Sequence, residues 1–248
     1  MPCLGMGASK AYKGKTCAYC AEANASTTAD HVFAREFFPI ERRGNLPKVP
    51  SCQACNSGKA TLEHYFTAVL PFAGRHADAR ELLKQMVPPR LAKNRALHAE
   101  LVAGGYNAWL RSDGLLRPTM TLPLDAVKLE QWVRLIVRGL IAHHWSVVLP
   151  AHYHIGVAVW TEAGEREIGR VMPQQGAAVT QASWGGGAFE YRGVQATDDP
   201  FLSIWRLTLY GGALLGGDPE ASIDASPRIW AMTSRRVEPV LFRYPAEQ

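Results

Sequence analysis

Hydrophobic positions along the chain change period several times, and each change marks an element. Over 125–145 apolar residues recur every three or four positions, with Val127, Trp132, Leu135, Ile136, Leu140 and Ile141 on one stripe. That is the spacing of a helix with one buried face. A shorter run of the same period covers 56–70 through Leu62, Phe66, Val69 and Leu70, behind the capping residues Asn56 and Ser57, and Pro71 and Gly74 interrupt it. Two more helices are predicted, at 76–87 and from Pro88-Pro89 to Gly104-Gly105, proline opening the second and glycine closing it. Ser112-Asp113-Gly114 reads as a hairpin turn between strands at 106–111 and 115–122. Residues 27–33 read as a strand and 41–50, with Gly44, Asn45, Pro47 and Pro50, as an extended loop. Strands at 157–160, 188–192 and 201–210 are separated by glycine-rich turns. The first fifteen residues lack periodicity and read as a loosely docked arm. The expected class is α+β, without internal repeats.

At 248 residues the chain is long enough for a sizeable core, in one large domain or two smaller ones. Its 47% hydrophobic and 20% charged residues are ordinary for a globular protein. No apolar run approaches the ~20 residues that span a bilayer, and no apolar segment follows Lys10, Lys13 and Lys15, so neither a membrane partner nor a secretory signal is expected. Four of the five cysteines stand in two Cys-x-x-Cys pairs, Cys17/Cys20 and Cys52/Cys55, leaving Cys3 over. That spacing favours metal over disulfides, hence a reducing compartment, and cytoplasm is the expected location.

The net charge of +5 is unevenly spread. Through Arg111, fifteen Lys/Arg oppose eight Asp/Glu, an excess of seven; beyond it twelve oppose fourteen. Lys48, Lys59, Arg75, Arg80, Lys84, Arg90, Lys93 and Arg95 crowd the segment around and after the second cysteine pair. Solvated helix faces would account for them, and so would contact with a polyanion.

Four thiolates in two tight turns suit a closed tetrahedral zinc site. Between the pairs lie Asp30 and His31, and Cys55 runs directly into Asn56. A carboxylate and an amide oxygen suit a harder ion, Mg²⁺ or Mn²⁺. The segments Thr16-Cys17-Ala18-Tyr19-Cys20, Thr28-Ala29-Asp30-His31-Val32-Phe33-Ala34 and Ser51-Cys52-Gln53-Ala54-Cys55-Asn56-Ser57-Gly58-Lys59 resemble the HNH endonuclease family in its zinc-bearing ββα-metal form. The resemblance covers roughly the first seventy residues.

It implies a nuclease unit at 1–72, stapled by zinc on Cys17, Cys20, Cys52 and Cys55, followed by a mixed helical and β-strand domain at 73–248 of unassigned role. It further implies phosphodiester hydrolysis of nucleic acid, double-stranded DNA being favoured over RNA. Asp30 and Asn56 would hold the catalytic divalent ion, His31 would act as general base, and Asn45 would brace the loop behind it. Lys59, Arg75 and Lys93 are the expected phosphate contacts. The family's Gly-Gly and Pro after Asp-His are absent, and Asn45 stands seven residues before Cys52, farther than the family spacing.

Competing assignments stay open from the residues themselves. Asn56 could cap a helix, Asn45 could form a turn, and Lys59 could be a solvated helix lysine. His64 reads as a packed or exposed helix histidine rather than a ligand or phosphate contact, His143, His144, His152 and His154 as structural, and Trp184, Tyr191, Trp205 and Tyr210 as core rather than base-stacking platforms. Two other functions fit the motif: a non-catalytic zinc module binding nucleic acid or protein, and a defence nuclease gated by a ligand in the C-terminal domain.

Overall fold

The computed structural model describes residues 10–112, 115–171, 178–213 and 225–235. The class is α+β, as expected. Strand β1 (Thr28–His31) pairs antiparallel with β2 (Lys48–Ser51), bringing His31 opposite Lys48. Two short 3-10 turns lie in the connection, Arg35–Phe37 and Ile40–Arg42. The chain before β1 is docked rather than loose where it is described, since Gly14 N–H donates to Ser26 O and Ser26 N–H to Lys15 O. The rest of the expected arm, Cys3 included, and most of the turn Ser112-Asp113-Gly114 lie outside the described residues.

Helix α1 (Gln53–Ala73) is longer at both ends than the pattern predicts. It starts early because Cys52 is the cap, its Sγ accepting from Cys55 N–H at 3.4 Å. It runs through Pro71, which has no N–H for the carbonyl of Thr67 one turn back. Arg90 Nη1 fills that carbonyl instead, at 2.8 Å, and this tertiary donor lets the helix continue. Helices α2 (Ala77–Gln85), α3 (Val87–Lys93) and α4 (Arg95–Gly104) follow. The predicted helix from Pro88 is thus two helices, divided where Asn94 caps α4 by accepting from Leu97 N–H.

A hairpin of β3 (Tyr106–Ser112) and β4 (Leu115–Thr121) leads into α5 (Ala126–Trp145), capped by Asp125. Then come β5 (His154–Thr161), α6 (Glu162–Val171), β6 (Ala178–Trp184), β7 (Phe189–Gln195), β8 (Ser203–Leu209) and β9 (Ala225–Ser234). The five strands form one antiparallel sheet in the order β5-β9-β8-β7-β6. The sequence pattern does not announce α6, β6 or β9. In β6, half-buried and exposed residues alternate without one large apolar face.

The boundary expected at 72/73 crosses a continuous core. Trp132 of α5 stacks on Phe66 of α1 at 4.9 Å and lies 5.2 Å from Phe37. Phe189 of β7 touches Phe33, Phe37 and Phe38, ring centroids 5.1–5.4 Å apart. Tyr210 OH, fully buried, donates to Phe37 O at 2.8 Å. The aromatics weighed as base-stacking surfaces sit in this packing, Trp205 and Tyr210 at 0% exposure. Within the sheet, a β-carbon on Gly193 would lie 2.5 Å from the buried Trp205 ring. Gly193→Ala is therefore expected to destabilise the chain by about 1–3 kcal/mol, read from urea unfolding, since the ring has no room to move. Among the described residues no helix is long and apolar enough to cross a membrane.

Candidate functional site

Two turns and a helix start bring the four cysteines together. Cys17 and Cys20 lie on a knuckle closed by Cys17 N–H to Glu22 O and Ala21 N–H to Cys17 O, with Ala21 in the left-handed region at φ 63°. Ala18 N–H donates to Pro50 O and pins the knuckle to β2. All four Sγ atoms lie within 4.8 Å of one another, Cys20 and Cys52 at 4.0 Å. Zinc–sulfur bonds of about 2.3 Å in a tetrahedron place sulfurs ~3.8 Å apart, so the donor set fits that ion. Cys52 N–H also points at Cys17 Sγ, at 3.4 Å. Burial opposes ionisation of Cys17, but backbone N–H groups of Cys20, Cys52 and Tyr19 outweigh it and bring the thiol down to about 7. Arg138 of α5 feels Cys20 and Cys55 and donates to Leu149 O and Tyr153 O, setting a half-buried positive charge near the sulfurs.

Asp30 points at α1. Its Oδ2 accepts from Tyr19 OH at 2.6 Å and lies 3.1 Å from Lys59 Nζ. Lys59 also donates to His31 O at 2.8 Å and Glu63 Oε1 at 2.6 Å, while Ala34 N–H donates to the same Glu63 oxygen. At 1% exposure Lys59 is therefore not the phosphate contact the motif led us to expect. Sequence spacing does put it on the Asn56 face of the helix, but that face is turned to β1. Burial pushes the Glu63 carboxyl up to about 7, against the pull of the Lys59 ammonium. Asp30 Oδ1 makes no hydrogen bond among the described residues, nor does the Asn56 side chain.

Asn56 lies inside the first turn of α1, its N–H bonded to Cys52 O, so it does not cap the helix. Its amide is left for another partner. Alternation along β1 sends His31 to the opposite side from Asp30. Its ring is half-buried and lies in the field of Lys48, Asp30, Arg35 and Lys59. Burial first, then the cations Lys48, Arg35 and Lys59, hold it below the usual imidazole range against the opposing pull of Asp30. Such a ring is neutral near pH 7, as a proton acceptor must be.

Asn45 is exposed with φ 56°, the conformation of a turn residue, and no side-chain bond ties it to His31. Arg75 and Lys93 are exposed. Arg90, from the same basic segment, is occupied by Thr67 O and Glu36 O. Besides the buried Lys59, Lys48 and Arg35 are cations near His31, and the pairing of β1 with β2 singles out Lys48. Tyr19 and Glu63 are the residues that sequence reasoning passed over as members of the Asp30 cluster. Tyr19 stands between two cysteines in sequence, and its reach to Asp30 has no local signal.

His64 is exposed, and among the described residues no histidine joins a cluster placed to hold a metal. His144 Nε2 meets Tyr191 OH at 2.8 Å, and burial, with His143 beside it, pushes that imidazole down to about 4. An open groove of about 620 Å³ between α1 and α5, mainly apolar, reaches Cys55 and Lys59. Comparison of the chain with protein-family models, with curated proteins and with solved structures finds no match.

Proposed function

We propose that the chain is a metal-dependent HNH-type endonuclease, a phosphodiester hydrolase acting on nucleic acid, with DNA as the favoured substrate. One observation carries the reading: Asp30 and His31 end a strand packed on the α1 face that bears Asn56, and hairpin and helix start meet at four cysteines. Zinc on those cysteines is structural, fixing the hairpin relative to the helix. The oxygen donors of Asp30 and Asn56 suit Mg²⁺ or Mn²⁺, which when bound supplies Lewis-acid polarisation of the phosphate.

The chain's own groups do the rest. Asp30 is held by Tyr19 OH and Lys59, with Oδ1 left over for a cation. Asn56 offers its amide oxygen one helical turn before Lys59. His31 takes a proton from the attacking water at a ring nitrogen, and its neutral state at pH 7 suits that role. Lys48 and Arg35 flank His31 and neutralise the phosphates on either side of the scissile bond, with Arg75 and Lys93 farther along the strand. Lys48→Ala and Arg35→Ala should each lower the salt slope of DNA binding by about one unit, measured by titration at several ionic strengths. An unchanged slope in both would remove them from the contact surface.

A plasmid-nicking assay with Mg²⁺ or Mn²⁺ tests the activity. Nicking that chelation and His31→Ala both abolish is expected; equal nicking by His31→Ala would overturn the mechanism. A second reading has one observation in its favour. The Lys59 ammonium 3.1 Å from Asp30 works against a second cation, and among the described residues the cysteines are the one cluster of His, Cys, Asp or Glu placed to hold a metal. The chain would then bind nucleic acid or protein through a zinc-stapled module without cleaving, and the assay would show band shifts and no nicks.

A further inference from the structure

Asp30 and the two buried ions beside it, Lys59 and Glu63, make a cluster of three charges whose balance is informative. Side-chain exposure is 0% for Lys59, 9% for Glu63 and 13% for Asp30. An ammonium has three N–H donors. Lys59 donates to His31 O and Glu63 Oε1 and forms an ion pair with Asp30 Oδ2, so its ammonium is fixed from three sides. Had Lys59 faced Asp30 alone, the carboxylate would be neutralised and a poor cation ligand. Glu63 lies closer to the ammonium, at 2.6 Å against 3.1 Å, and is itself oriented by Ala34 N–H. When both carboxylates are ionised, two carboxylates and one ammonium leave one excess negative charge. Among the described residues, Asp30 Oδ1 has no protein donor.

We propose that Lys59 and Glu63 form an internal counterweight that fixes Asp30 through Oδ2 while leaving it one net negative charge to present to a divalent cation at Oδ1. They are positioning residues, reaching neither substrate nor cation. The inference rests on the reading of Asp30 as a metal ligand. Its signature is a dependence on charge sign that mere packing would not produce: removing the Glu63 charge weakens cation binding, removing the Lys59 charge strengthens it, and removing both restores it.

The test is Mn²⁺ affinity, followed by electron paramagnetic resonance on the zinc-loaded full chain at pH 8. Wild type is compared with Asp30→Asn, Glu63→Gln, Lys59→Met and the double variant Lys59→Met/Glu63→Gln. Zinc content and circular dichroism verify folding. Glu63→Gln should weaken binding on the order of tenfold, the scale of one partly screened unit charge several ångströms from a divalent ion. Lys59→Met should shift affinity the other way, and the double variant should return close to wild type. If Glu63→Gln loses zinc, the opposite shift in Lys59→Met still carries the test; loss of zinc from both single variants marks a purely structural pair and overturns the proposal. If Asp30→Asn abolishes Mn²⁺ binding while the Lys59 and Glu63 variants match wild type, the counterweight alone falls. If Asp30→Asn binds Mn²⁺ as wild type does, the metal reading of Asp30 falls and takes the counterweight with it.

Discussion

Cys52→Ser should lose zinc and the cooperative fold together. Serine is a preferred helix cap, so the cap of α1, which Cys52 supplies by accepting from Cys55 N–H, survives the change. What disappears is one thiolate of four. Structural zinc contributes an apparent free energy of about 10–16 kcal/mol at neutral pH, as large as the ~5–15 kcal/mol that holds a whole domain. Damage will not stay local, because Phe33, Phe37 and Phe66 behind the staple pack on Trp132 and Phe189. The expected result is substoichiometric zinc by metal analysis and loss of the tryptophan fluorescence transition, to which the fully buried Trp132 contributes. Full zinc with an unchanged melting temperature would show that the cluster is not a staple.

His31→Ala should cost about 10²–10⁴ in turnover, the range for a positioned general base, with nucleic-acid binding nearly unchanged. A group that acts on the proton in the transition state lowers kcat without raising KM. Misfolding is a poor alternative explanation for such a loss. The His31 ring is half-buried, makes no side-chain hydrogen bond among the described residues, and sits at the end of a strand whose backbone pairing with Lys48 is kept. A stability change within about 1 kcal/mol is therefore expected. Gel-shift affinity, melting temperature and single-turnover cleavage separate the three effects. If cleavage falls only in proportion to binding, His31 is a contact and not the base.

The elements that could be read from the chain are those whose signal is local. The stripe over 125–145 becomes α5 within a residue, and Pro88 and Gly104 mark real helix limits, because one apolar face or one backbone preference acts within a few turns. The length of α1 could not be read. Pro71 should end it, and only Arg90, nineteen positions on, supplies the missing donor. Pro71 and Gly74 interrupt the helical pattern near 72/73, but a domain boundary depends on where aromatic side chains meet in space, and Phe66 meets Trp132.

The candidate site divides in the same way. Two Cys-x-x-Cys pairs, each on its own tight turn, determine by spacing alone that their sulfurs can share an ion, and Asp30, His31 and Asn56 take their places on strand and helix from the same register. Tertiary structure decided what surrounds them. It turned the Asn56–Lys59 face of α1 onto β1, making Lys59 a buried partner of Asp30 and Glu63 where the sequence offered a phosphate contact. It brought Tyr19 OH onto Asp30 and set Lys48 across from His31. The physical reason is range. Cysteine spacing and helical period act along the chain, whereas the burial of a charge and the partner that compensates it are settled only when separate segments close on one another.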